Sequence, residues 1–202
     1  TPRSSSAASD VYKRQVTLQR NLPQTANYIE TLRHLARVKT VMKKFEAAED
    51  YLYEATQSAQ QQKNVGEYAA VLYERVILYK RWGQLDKALR LGYESLDIFR
   101  KSGVLRLEAL IKTQLGLLYQ ANQNPHEALV LFKDGLQIFT ELGDVYEQAY
   151  SHYYLYKLYL DLNETEQSLK AKEYAEQLNF ELRDQLLTCL LYTSPSPRDS
   201  IA

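Results

Sequence analysis

Between Leu105 and Asp144 the apolar positions recur with the period of a helix, and they do so twice. Leu110, Leu115, Leu117, Leu118 and Tyr119 form one stripe, and Ala128, Leu129, Leu131, Phe132, Leu136 and Phe139 form a second. Ala121-Asn122-Gln123-Asn124-Pro125 separates them. Asn124 is placed to cap the second helix, Pro125 suits its first turn, and Glu127 stands where a capping box takes an acid. Gly143 supplies a stop. The stretch predicts two amphipathic helices joined by a tight turn.

Displaced by 40 residues, this unit finds copies of itself. Tyr119 corresponds to Tyr79 and Tyr159, and Ala128 to Ala48, Ala88 and Ser168. Gly135 corresponds to Ala55, Ser95 and Ala175, always small, while Ile138-Phe139 matches Ile98-Phe99 and Gly143 matches Gly103. One column of small residues and another of aromatics at a fixed period is the sign of a solenoid. Four units fit without a gap: 25–64, 65–104, 105–144 and 145–184.

In these residues the chain resembles the tetratricopeptide repeat family, in a long variant of about 40 residues per hairpin. Leu115-Gly116, Tyr119, Ala128, Phe132 and Gly135 follow the family pattern closely. The second unit keeps Tyr79, Gly83, Ala88 and Ser95 but has Arg75-Val76 for Leu-Gly and Gly92 at the large apolar position. The first keeps Ala48, Leu52 and Ala55 but has Lys39 for Tyr, and the fourth has Lys172 at the large position. No unit carries the family's early Trp. The resemblance implies an all-α fold, an α-solenoid or superhelix of four antiparallel hairpins and about eight helices.

The ends stand outside this register. Cys189-Leu190-Leu191-Tyr192-Thr193-Ser194 can be encoded by TGT CTC TTA TAC ACA TCT. The reverse complement, entered one base in, reads Asp10-Val11-Tyr12-Lys13-Arg14-Gln15. Residues 1–15 and 189–202 therefore resemble translated sequencing-library adapters and are expected to be non-native tails, leaving 16–188 as the repeat domain. Val16, Leu18 and Leu22 align with Leu136, Ile138 and Leu142, as the last turns of an earlier repeat would. Residues 185–188 open a fifth. The segment is expected to be a fragment of a longer protein.

Without the tails, Lys plus Arg falls from 25 to 21 (less Arg3, Lys13, Arg14 and Arg198) and Asp plus Glu from 25 to 23 (less Asp10 and Asp199), a net charge of −2. No basic surplus points to nucleic acid, and no apolar run approaches a membrane span. The sole cysteine, Cys189, lies in the tail, so no disulfide or cysteine-metal argument is available. A cytoplasmic location is the expectation.

The hairpins pair 28–42 with 46–62, 67–81 with 85–101, and 145–161 with 165–179. Gly83 can take a positive φ in its turn, Asn163 followed by Glu166 gives a possible cap, and Lys43-Lys44-Phe45 offers neither Gly nor Pro. Stacking sets the second helix of one repeat against the first helix of the next. The small column admits close approach, and Tyr79, Tyr119 and Tyr159 fill the space beside it.

Catalytic signals are absent. The chain has no phosphate loop, no H-E-x-x-H and no G-x-S-x-G. His34, His126 and His152 lie in different repeats, and acid pairs such as Glu49-Asp50 belong on helix surfaces. No enzyme activity and no cofactor is expected. The resemblance implies instead a concave face lined by the first helix of each repeat. The candidate binding residues are Arg33, Arg37, Tyr73, Ile77, Lys80, Arg81, Thr113, Leu117, Gln120, Tyr153 and Lys157. Arg33 and Arg37 are one turn apart, so both face one ligand. Cations with an apolar floor suit a protein or peptide partner, acidic in character. The family's carboxylate clamp and the Asn ladder of some relatives are not matched. The expected function is a protein–protein interaction scaffold. The alternatives are a ligand-sensing region of a bacterial-type signalling or transcription protein and a repeat-built phosphatase for which no catalytic side chain stands out.

Overall fold

The computed structural model describes residues 26–193. Nine helices are present among the described residues, and no strands. They are α1 (Ala26–Val41), α2 (Phe45–Gln61), α3 (Val65–Trp82), α4 (Leu85–Ser102), α5 (Leu105–Ala121), α6 (Pro125–Leu142), α7 (Val145–Asp161), α8 (Thr165–Leu182) and α9 (Gln185–Thr193). The fold is the all-α, helical-repeat class expected. The chain forms two compact units: one ends at Gly103 and holds α1–α4, the other begins at Val104 and holds α5–α9.

The helices end in step. Lys43, Lys63, Gly83, Gly103, Gln123, Gly143, Asn163 and Arg183 all have positive φ, spaced 20 residues apart. At Gly83 the cap is a Schellman pair: Gly83 N donates to Lys80 O and Gln84 N to Tyr79 O, at 3.2 and 2.9 Å. The same two bonds recur at Lys43, Lys63, Gln123, Gly143 and Asn163. The turn geometry is thus a property of the repeat, and Lys43 adopts it without the glycine its position favours. Two expectations for the caps change. Asn124 sits at the N-cap but its side chain makes no capping bond, and Asn163 is the left-handed residue, with Glu164 at the N-cap. Asn64 and Asp144 do cap, accepting from Glu67 N and Glu147 N.

Within each unit the small columns lie where helices touch. Ala48, Ala88, Ala128 and Ser168 are buried, as are Ala55, Ser95 and Ala175. A Cβ on Gly135 would stand 3.3 Å from Ala109 O, and the Ser95 hydroxyl donates to the equivalent carbonyl of Ala69 at 3.4 Å. Tyr79 and Tyr159 are buried and Tyr119 half-buried, so this column is packing material. A polar pair repeats as well. Tyr28 donates to Glu54, and 40 residues on Tyr68 donates to Glu94 at 3.0 Å.

Another register pair varies in a compensated way. In successive repeats the residues are Ala36 and Leu52, Val76 and Gly92, Gly116 and Phe132, and Tyr156 and Lys172. In register each large partner is set against a small one, except in the fourth repeat. There the Lys172 ammonium lies 5.8 Å over the Tyr156 ring. Lys172, at the large position of that repeat, is mostly covered and also pairs with Glu176.

Helix α9 continues through Cys189 to Thr193. Leu191 is fully buried and occupies the column of Val71 and Ile111, also buried. An apolar segment folds onto the exposed end of a repeat whatever its origin, because it covers apolar surface there. The expected tail 1–15, and residues 194–202 of the other, lie outside the described residues.

Candidate functional site

In the first unit, α1 and α3 are the first helices of successive repeats and lie side by side. Their facing charges are paired. Arg33 Nη1 donates to Glu67 Oε2 at 3.1 Å. Arg37 donates through Nε to Glu74 Oε2 at 3.4 Å and through Nη2 to Glu74 Oε1. The Glu74 side chain is only 3% exposed, while that of Arg37 is 53% exposed. The hydrogen bond to Glu74 raises the Arg37 guanidinium above its usual range, against the opposing effect of burial. The two cations expected one turn apart on the lining both already hold a carboxylate of the neighbouring repeat. Glu67 and Glu74 are seven residues apart on α3 and Arg33 and Arg37 four apart on α1, so both pairs fit one helix–helix seam. That complementarity shows only once the two helices are set side by side.

Beside the Arg37–Glu74 pair lies a cavity of about 230 Å³ lined by Ala36, Arg37, Thr40, Val41, Leu52, Glu74, Ile77 and Arg81. Three of the predicted residues meet here: Arg37, Ile77 and Arg81. Ala36 and Leu52 form its small-and-large register pair, and Val41 is exposed at its edge. Arg81 is exposed. Its charge and, more strongly, burial pull the neighbouring Lys80 down to about 8. Tyr73 lies near Arg37. Trp82 stacks between Phe45 and Tyr79, with centroids 5.5 and 5.9 Å away.

In the second unit the predicted residues separate. Thr113 is buried, donating to Ala109 O at 3.1 Å, so it faces the α5–α6 packing rather than an open surface. Gln120 donates to Asp161 at 2.8 Å. Leu117 and Tyr153 are half-buried against the core. Lys157 is half-exposed. Helix α7 carries a run of aromatic contacts, Tyr146 to Tyr150 at 4.9 Å and Tyr150 to Tyr154 at 6.4 Å. The Tyr150 hydroxyl donates to Asp184 at 3.3 Å, and burial pushes Tyr154 up to about 12.

Among the described residues no group of three or more His, Cys, Asp and Glu side chains is arranged to hold a metal ion. His34 lies 3.5 Å from Glu30, and His152 stacks on Tyr174 at 5.0 Å, its pKa lowered by burial. No described helix is long and apolar enough to cross a membrane. Glu49, expected on a helix surface, is instead engaged by Arg75 of the next repeat.

The profile described as Tetratricopeptide repeat matches residues 8–101. No curated protein sequence matches the chain. Among solved structures, the chain is similar to a Rap protein complexed with Competence and Sporulation Factor, at 16% identity and a TM-score of 0.84, covering 94% of this chain and 53% of that one. It is similar to aspartyl phosphate phosphatase F from Bacillus subtilis, at 11% identity and a TM-score of 0.81, covering 90% and 48%. It is also similar to the TPR-like repeats of a putative kinesin light chain from Podosopora anserina, at 16% identity and a TM-score of 0.64, covering 90% of both chains. The chain thus spans about half the length of the first two. At these identities the likeness concerns the fold, and it agrees with the family match and with the 20-residue rhythm of helix ends. The chain is a helical-repeat protein whose residues 8–101 match the tetratricopeptide repeat model.

Proposed function

We propose that this chain is a non-catalytic protein-interaction scaffold that takes a peptide of a partner protein against the first-helix face of its first unit. The observation that carries the reading is the cavity between α1 and α3, with an apolar floor of Ala36, Leu52 and Ile77, Val41 at its edge, and two guanidinium groups beside it. About 230 Å³ accommodates one or two aliphatic side chains. Arg37 already holds Glu74, and Arg81, exposed at the same cavity, attracts an acid on the ligand. Helical repeats present extended surfaces of this kind. The repeat domain in this reading is 16–188, flanked by the two non-native tails.

The test is selection of binders from a displayed random peptide library against the full chain. Ile77→Asp and Arg81→Glu should each weaken a selected peptide by tenfold or more, and binding should fall with salt because the mouth is open to solvent. Both variants binding as tightly as the parent would move the site elsewhere.

A second reading is a ligand-sensing region of a longer bacterial-type signalling protein. It draws on the likeness to the Rap protein, which was solved with Competence and Sporulation Factor and of which this chain spans 53%. Sensing requires that binding at one place alter another. Slowed amide exchange in α5–α9 when a peptide binds α1–α3 would favour it over a passive scaffold.

A further inference from the structure

The second repeat departs from its neighbours at a charged position. In the column of Leu35, Leu115 and Leu155, all buried, position 75 is Arg. In the column of Leu89, Leu129 and Leu169, position 49 is Glu. The two exceptions meet. Arg75 donates through Nε to Glu49 Oε2 at 3.4 Å and through Nη2 to Oε1, with side chains 20% and 21% exposed. An ion pair this deep adds little stability over the leucines it replaces. Packing therefore does not account for it.

Arg75 borders a cavity of about 400 Å³ between α3 and α4, together with Tyr79, Lys87, Arg90, Leu91 and Glu94. The Tyr79 ring is its hub: the Lys87 ammonium lies 5.2 Å from the centroid and the Arg75 guanidinium carbon 6.0 Å. Lys87 and Arg90 are exposed and one turn apart on α4. Glu49 answers Arg75, and Glu94 accepts from Tyr68. Two carboxylates thus face three cations, and positive charge is left over on the open side. Leu91 and Tyr79 give an apolar wall. At 100° per residue, Arg75 and Tyr79 lie roughly opposite Glu74, Ile77 and Arg81 on α3, so this cavity is separate from the one described above.

We propose that this cavity binds an oxyanion carried on an apolar stem, the acidic or phosphorylated side chain of a partner protein, with Lys87 and Arg90 holding the anion and Leu91 and Tyr79 the stem. Arg75 contributes the N–H groups that Glu49 does not take. The volume is in the range of small-ligand sites. The proposal is independent of the peptide reading for the opposite face of α3.

The experiment is a titration of the isotope-labelled full chain, followed by amide resonances, with phenyl phosphate, benzoate and neutral phenol. Both anions should shift the amides of residues 86–94, and phenol should not. Lys87→Gln with Arg90→Gln should raise the apparent Kd at least tenfold with an unchanged melting temperature, since both side chains are exposed. Ile77→Asp should leave it unchanged. Phenyl phosphate binding tenfold tighter than benzoate assigns a phosphorylated side chain, and similar affinities assign a carboxylate. Equal shifts with phenol, no shift with either anion at tens of millimolar, or full binding by the Lys87, Arg90 double variant would overturn the proposal.

Discussion

A β-carbon built on Gly116 would stand 2.6 Å from Cε1 of Phe132. The ring and the glycine thus share one space that admits a single side chain. Gly116→Ala should destabilise the second unit by about 1–3 kcal/mol through overpacking, and Phe132→Leu in the same chain should recover part of that loss. The second repeat has the reverse arrangement, Val76 with Gly92. Gly92→Phe alone should be destabilising, and Val76→Gly with it should restore much of the stability. Thermal melts of the single and double variants check both cycles. Additive effects would mean that the register pairs do not touch.

The ion pair between repeats makes a separate prediction. Removing one partner by Glu49→Leu leaves Arg75 poorly solvated and should cost stability toward the lower end of roughly 3–5 kcal/mol. Replacing both with leucine, as the other repeats have, should be neutral or stabilising by about 1–4 kcal/mol. Denaturant unfolding measures this. If the double variant is much less stable than the parent, the pair is structural after all.

Positive φ at lysine is a local strain of about 1–2 kcal/mol relative to glycine. Lys63→Gly, at φ 52°, should therefore stabilise the chain by up to about 1 kcal/mol, once the added freedom of the unfolded glycine is deducted. Gly83→Ala, at φ 80°, should move the melting temperature the other way.

Lys80 predicts a pH dependence. Its pKa is lowered from the ordinary 10.5 to about 8, chiefly by burial. Between those values the unfolded chain binds more protons than the folded one, so stability rises with pH from about 8 toward 10. Above 10 the tyrosines act oppositely: burial raises Tyr79, Tyr150 and Tyr154, and their ionisation favours the unfolded chain. Lys80→Met should flatten the rise. An identical profile in the variant would show that Lys80 is not its source.

Trimming the chain after Thr188 removes Leu191, which is fully buried against the second unit. The loss should be about 1.5–3 kcal/mol, the transfer free energy of one leucine side chain, read as a lower melting temperature. Leu191→Ser in the full chain should reproduce most of it. No change in either would place Leu191 outside the folded core.

The 40-residue register by itself determined the all-α class, the helix order, the small columns at Ala48, Ala88, Ala128 and Ser168, and the stops at Gly83, Gly103 and Gly143. These are legible because packing imposes a period: a position that must be small in one repeat must be small in the next, and the spacing records it. The candidate cavity was legible in part, since Ile77, Arg37 and Arg81 follow from the register of the first helices. Charge pairing was not. Arg33 and Arg37 read as cations of the groove lining until α1 lies against α3, where Glu67 and Glu74 meet them across 34 and 37 residues of sequence. Thr113 read as groove lining, and only the approach of Gly135 to α5 turns it inward. Asn163 read as a cap, but the Schellman turn takes it as the left-handed residue. Helical period specifies which residues share a face. Which face meets which neighbour, and whether a charge there finds its opposite, depends on distances between helices that no single stretch of chain contains.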